Sequence, residues 1–191
     1  LGIKATIGSN NYSRNLQTLN GNGIILTPLN EFDLELVRTW RNSPQIANNM
    51  EFRGYIGVDD QINWFKNLDL KSNYYFVISY QSKKIGLIHL NKIDVLDKSA
   101  HAGLFIAENE FTGTGISLGA SLLILSFGFN TLKLQTIYAK IKQKNMLALQ
   151  YNKGLGFVFD SQLNDEFCLY KLTKTNFETQ KLTLEKLAKV I

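Results

Sequence analysis

The stretch FTGTGIS (111–117) sets Thr112, Gly113, Thr114, Gly115 and Ser117 at the entrance to an apolar run that continues to Phe129. Glycines just before a helix let main-chain N–H groups curl around an anion, and the helix adds unpaired donors and a partial positive charge. The same residues would also make a plain turn. The run is neither a G-x-x-x-x-G-K-[ST] loop nor a G-x-G-x-x-G turn in a β-α-β frame with an acid downstream, so nucleotide triphosphate and dinucleotide binding are not expected. The remaining reactive side chains are few. His89, His101 and the lone Cys168 are too sparse for a zinc site or a disulfide framework, so no metal is expected. Cys168 falls in a late strand pattern and reads as core. His89, in GLIHLN, reads as a satisfied strand histidine or as part of a pocket wall.

Composition narrows the partners. The 191 residues are 45% apolar, with net charge +5 and pI near 9.2. That balance suits a phosphate-bearing small ligand. No Lys/Arg-rich run appears, so no nucleic-acid partner is expected. No apolar run reaches 18 residues without interruption, which predicts no membrane span and a cytoplasmic protein. Leu1 in place of Met reads as a trimmed or tagged start. The sequence leaves a homodimer open.

These groups need elements to position them. Residues 1–22, rich in Asn, Ser and Gly, read as a flexible lead or an accessory strand. IILTPL (24–29) reads as a strand. Asn30 caps a helix through residue 42, with Leu34, Val37 and Trp40 on one face. Ser43-Pro44 breaks it. A second helix starts near Asp59 and runs through Trp64 to Leu68. Strands follow at 74–80, 84–93 and 100–107, the first two joined by QSKK. A helix is predicted over 117–130, a strand over 135–141, a short helix over 145–154 ended by Gly154, and a hairpin from FVF and EFCLYKL. Residues 176–191 predict an amphipathic helix with Leu184, Leu187 and Ile191 on one face and Glu185 beside Lys189. Three consecutive strands among scattered helices exclude a doubly wound sheet and predict a mixed, mostly antiparallel α/β sheet.

In this order, the strand HAGLFI, the glycine turn, a helix, the strand QTIYAKI and then Asn145, Ala148, Gly156 and Phe157 resemble the core of the GNAT superfamily of acyl-CoA N-acyltransferases. The resemblance covers about residues 24–173. The N-terminal half, LVRTWRNSPQIANNM followed by Ile56 and QINWF, resembles the nucleotide-amino-sugar N-acetyltransferases of the pseudaminic-acid pathway. Ribosomal-protein N-terminal acetyltransferases share the layout. Thr112 and Ser117 replace the family's usual Arg/Gln and Gly/Ala in the turn, and Gln61 replaces a His.

The resemblance implies a GNAT fold over 23–175 with strands that splay at the acetyl-CoA site, and acetyl-CoA as co-substrate. It implies that residues 112–117, Ile116 included, wrap the pyrophosphate. Leu104, Phe105, Ile106 and Ala107 would offer main-chain groups to the pantetheine, and Asn145 would bond that arm or cap its helix. A free amine would attack the thioester directly, with no acyl-enzyme. His101 stands where the family often has a Glu base. The family's tyrosine acid falls on Asn152 by count; the tyrosine itself is one place earlier, at Tyr151. One residue is 100° of helix rotation, so Tyr151 should point elsewhere unless the helix is distorted. Recognition of a small-molecule amine acceptor would fall to Arg41, Asn42, Met50, Phe52, Tyr55, Trp64 and His89. Arg41 would meet a diphosphate or pin the helix pair through a salt bridge. The expected function is acetyl transfer to a nucleotide-linked 4-amino sugar. The alternatives are N-terminal acetylation of a protein and a non-catalytic acyl-CoA-binding module.

Overall fold

The structure, a computed structural model, describes residues 17–188. Its first strand pair is a hairpin that the lead contributes: β1 (Leu19–Gly21) pairs with β2 (Ile24–Pro28) across Asn22 and Gly23, both at positive φ. The rest of the lead, residues 1–16, lies outside the described residues, as do Lys189 and Ile191 of the expected tail helix. Asn30 then accepts from Phe32 N while Asp33 reaches back to Asn30 N, a capping box that opens a short 3-10 turn. Buried Asp33 also binds Lys84 at 2.6 Å. Helix α1 (Leu34–Asn42) buries Leu34, Val37 and Trp40. Ser43 is extended and Pro44 starts a one-turn helix, α2 (Pro44–Ala47). Helix α3 spans Val58–Lys66.

Strands β3 (Tyr74–Tyr80), β4 (Lys83–Asp94) and β5 (Ser99–Ile106) form an antiparallel meander. The β3–β4 turn is two residues, Gln81 and Ser82, both at positive φ, as a twisted hairpin requires. Helix α4 (Ile116–Ser126) unwinds into a π turn over Phe127–Thr131. Strand β6 (Thr136–Lys142) follows, then α5 (Met146–Gly154), β7 (Val158–Gln162), β8 (Phe167–Thr173) and α6 (Lys174–Ala188). The glycine that needs a left-handed backbone after α5 is Gly156, at φ +98°, rather than Gly154.

The eight strands form one sheet in the order β1-β2-β3-β4-β5-β6-β8-β7, antiparallel except for β5 and β6. Period-two alternation sends side chains to two faces. On one face Val77 and Leu87 pack with Val37 and Trp40 of α1. On the other, α4 and α6 cover the larger core, where Phe129 meets Phe177 at 5.2 Å. The β5–β6 pairing runs only from Ser99↔Thr136 to Ala102↔Ala139. Beyond it β5 stays on β4 while β6 stays on β8 to Lys142↔Phe167. The sheet therefore splits between β5 and β6.

Candidate active site

The split leaves one edge of β5 open. Ala107 N donates to Ile85 O, so by alternation the main-chain groups of Gly103 and Phe105 face β4. Those of Leu104 and Ile106 face the cleft, ready to pair with an extended ligand arm. The glycine turn closes one end of this cleft. Gly113 sits at φ +76°, a conformation that suits glycine. Gly115, at φ −68° and ψ −2°, adopts a backbone open to any residue; the conformational demand rests on Gly113 alone. Thr114 Oγ1 donates to Phe111 O at 2.7 Å, and Ser117 Oγ reaches Thr114 O at 3.3 Å. Ile116 N makes a long 3.4 Å contact with Thr114 Oγ1. Among the described residues nothing accepts from the N–H groups of Gly113, Thr114, Gly115, Ser117 and Leu118. These donors and the positive end of α4 make a cradle for an anion.

Across the cleft, Asn145 caps α5 by accepting from Ala148 N at 3.0 Å. Tyr151 reaches from α5 to α4. Its hydroxyl donates to Ser117 O at 2.7 Å and lies 2.6 Å from Ser121 Oγ. Burial pushes its pKa far above the ordinary phenol range, opposed only by the Ser121 hydrogen bond. A phenol so committed is a poor proton donor to a leaving thiolate. Asn152, in the expected tyrosine position, donates to Ala148 O.

The expected acceptor residues Arg41, Trp64 and His89 gather on the α1 face. His89 pairs across β4–β5 with Gly103 and stacks on Tyr75, ring centroids 4.9 Å apart. Trp64 stands edge-on to Tyr75 at 5.1 Å, and Asn91 Nδ2 donates to the Tyr75 hydroxyl at 3.2 Å. His101 lies opposite Asn91, and its ring is 5.6 Å from that of Tyr138 on β6. Burial lowers the pKa of His89 to about 4, with the charges of Arg41 and His101 acting in the same direction. Burial also lowers that of His101, reinforced by Lys92 and Lys140. Both imidazoles are therefore neutral at pH 7. Arg41 is partly buried and its Nε is buried with no hydrogen-bond partner. Among the described residues no carboxylate pairs with it, so the salt-bridge alternative has no partner here.

Other expected acceptor residues lie around the segment that follows α2. Asn42 clamps the backbone of Ile56, accepting from its N–H at 2.8 Å and donating to its carbonyl at 3.0 Å. Tyr55 is 75% exposed and receives a hydrogen bond from Arg38, which also binds Glu35 and Ile56 O. Met50 and exposed Phe52 belong to the loop over 48–57. That loop is tied across to the paired strands β6 and β8 and the turn before β8 by Glu51 on Lys140, Arg53 on Glu166 and Lys142 on Asn48 O. Tyr75, Asn91, Arg38 and Lys140 were missed by sequence reasoning. Alternation along YYFVISY and TIYAKIK places Tyr75 and Lys140 on one face, but nothing in the sequence says which face meets the cleft. Among the described residues no His/Cys/Asp/Glu group could hold a metal, and no helix is long and apolar enough to cross a membrane.

Comparison with known proteins agrees with this geometry. Residues 24–158 match the acetyltransferase (GNAT) domain family. Acetyltransferase PseH of Campylobacter jejuni (strain 81-176) is 30% identical over 136 residues, 70% of this chain and 83% of the relative. Among solved structures, the spermidine N-acetyltransferase of Vibrio cholerae in complex with CoA and spermine aligns with TM-score 0.76 at 21% identity, covering 83% of this chain and 99% of that one. FdhC, a nucleotide-linked sugar GNAT, aligns with TM-score 0.76 at 22% identity, covering 90% and 98%. The chain belongs to the GNAT acetyltransferase family, with acetyl-CoA as its co-substrate.

Proposed function

We propose that this acetyltransferase acetylates the amine of a nucleotide-linked amino sugar. The observation that carries the reading is Arg41, a partly buried guanidinium with an orphaned Nε, beside the Tyr75–His89 stack. A buried charge without a partner is costly and is most simply explained by a partner that arrives with the substrate. A diphosphate matches the guanidinium fork. Besides His101 acting on His89, the charges acting on the two histidines come from Arg41, Lys92 and Lys140, all cationic, and Glu51 is held by Lys140. Such a wall attracts an anionic acceptor and opposes a polyamine. The Trp64–Tyr75–His89 aromatic cluster offers apolar ring surface to a sugar or base. The sugar-linked neighbour supports this acceptor class, while the spermidine-acetylating one makes a polyamine the competing reading.

In this assignment residues 112–117 hold the pyrophosphate and Leu104 and Ile106 pair with the pantetheine arm. His101, unprotonated at neutral pH, takes the proton of the attacking amine. Equilibrium titration in the presence of CoA tests the acceptor class. UDP should bind, and spermine should not. Spermine binding without UDP binding would overturn the assignment.

A further inference from the structure

We infer that Tyr151 is a positioning residue that clamps the two walls of the acetyl-CoA cleft together, rather than the proton donor of the reaction; the inference rests on the cleft assignment above. The chain order is β5, α4, β6, α5, and the cleft opens between β5 and β6. Helix α4 therefore belongs to one wall and α5 to the other. Tyr151 on α5 bridges them. Its single phenolic proton goes to Ser117 O at 2.7 Å, so the 2.6 Å contact with Ser121 is donated by the serine. Ser117 is the second residue of α4, one turn before Ser121. The relay from Ser121 to Tyr151 to Ser117 thus fixes the turn whose free N–H groups face the pyrophosphate. Ser121 is 3% exposed, so this relay is sheltered from competing water. Holding the donors at a set distance from the opposite wall lowers the ordering cost of ligand binding.

The test is Tyr151→Phe, which keeps the ring and removes both hydrogen bonds. Calorimetric titration with CoA, which needs no acceptor, should show Kd raised about tenfold, the scale of one or two lost hydrogen bonds. At saturating acetyl-CoA, kcat should stay within about twofold of wild type, and its alkaline limb should not move. A large fall in kcat with Kd unchanged would make Tyr151 the acid and overturn the inference. A lowered melting temperature with Kd and kcat unchanged would overturn it in favour of a purely structural tyrosine. Should Tyr151→Phe fail to fold, Ser121→Ala carries the test: a smaller rise in Kd for CoA supports the clamp, and an unchanged Kd refutes it. Failure of the wild type to bind CoA would instead refute the cleft assignment itself.

Discussion

A Cβ on Gly103 would lie 2.6 Å from Cε1 of His89. The glycine is what allows the imidazole to lie across β5 against Tyr75. Gly103→Ala must push the ring aside, because the contact is to a stiff ring stacked on its other face. The expected outcome is a rise of about tenfold or more in KM for the acceptor, with Kd for CoA unchanged. Steady-state kinetics with CoA calorimetry checks this split.

Arg41 should trade stability for binding. Replacing a partly buried, unpaired guanidinium by Met removes a desolvation cost, so Arg41→Met should leave the melting temperature unchanged or raise it. Acceptor KM should rise about tenfold to a hundredfold as a charge-assisted contact is lost. A destabilised variant with normal KM would place Arg41 in the scaffold.

The turn makes a graded expectation. At φ +76° a β-branched side chain is strained by about 1–2 kcal/mol, so Gly113→Val should weaken CoA binding by about tenfold or more. Ser117→Ala removes only a 3.3 Å contact and should change Kd less than about twofold. Equal, small changes at both positions would remove the pyrophosphate from this turn.

The histidines predict two separate losses on the acid side. His89 is neutral in the fold down to about pH 4 but takes up a proton near pH 6.5 when unfolded. The unfolded state binds more protons across that interval, so stability falls as pH drops through it, by up to about 3 kcal/mol. His89→Gln should flatten this part of the pH–melting curve. His101→Gln should lower kcat/KM by about a hundredfold and abolish an acidic limb lying below the ordinary imidazole range.

Much of the fold was legible because its cues are local. Asn30 and Asn145 mark helix starts by their own side chains, Pro44 marks where α1 must stop, and β6 alternates cleanly. The splay between β5 and β6 followed from the resemblance and stands in the pairing register. The one-residue offset of Tyr151 from the family's tyrosine place could be counted along the helix. What it meets could not, since Ser121 is 30 residues away. Arg53 and Glu166 are 113 apart in sequence, so the tie across the cleft leaves no periodic trace. The Gln81–Ser82 turn carries neither glycine nor asparagine, and only the register of its strands forces the positive φ values. Asn42 and Tyr55 were singled out because their types suit recognition; their contacts with Ile56 and Arg38 are invisible until the chain is folded.

The most direct test of the account is turnover with competing acceptors, read as free CoA thiol from acetyl-CoA. The measurement is kcat/KM for UDP-linked 4-amino sugars against spermidine and N-terminal peptides, under one set of conditions. The account expects an amino sugar carrying its nucleotide diphosphate to exceed spermidine by about a hundredfold or more, the scale of a lost charge-assisted contact. Spermidine or a peptide turning over faster than every nucleotide-linked sugar would contradict it.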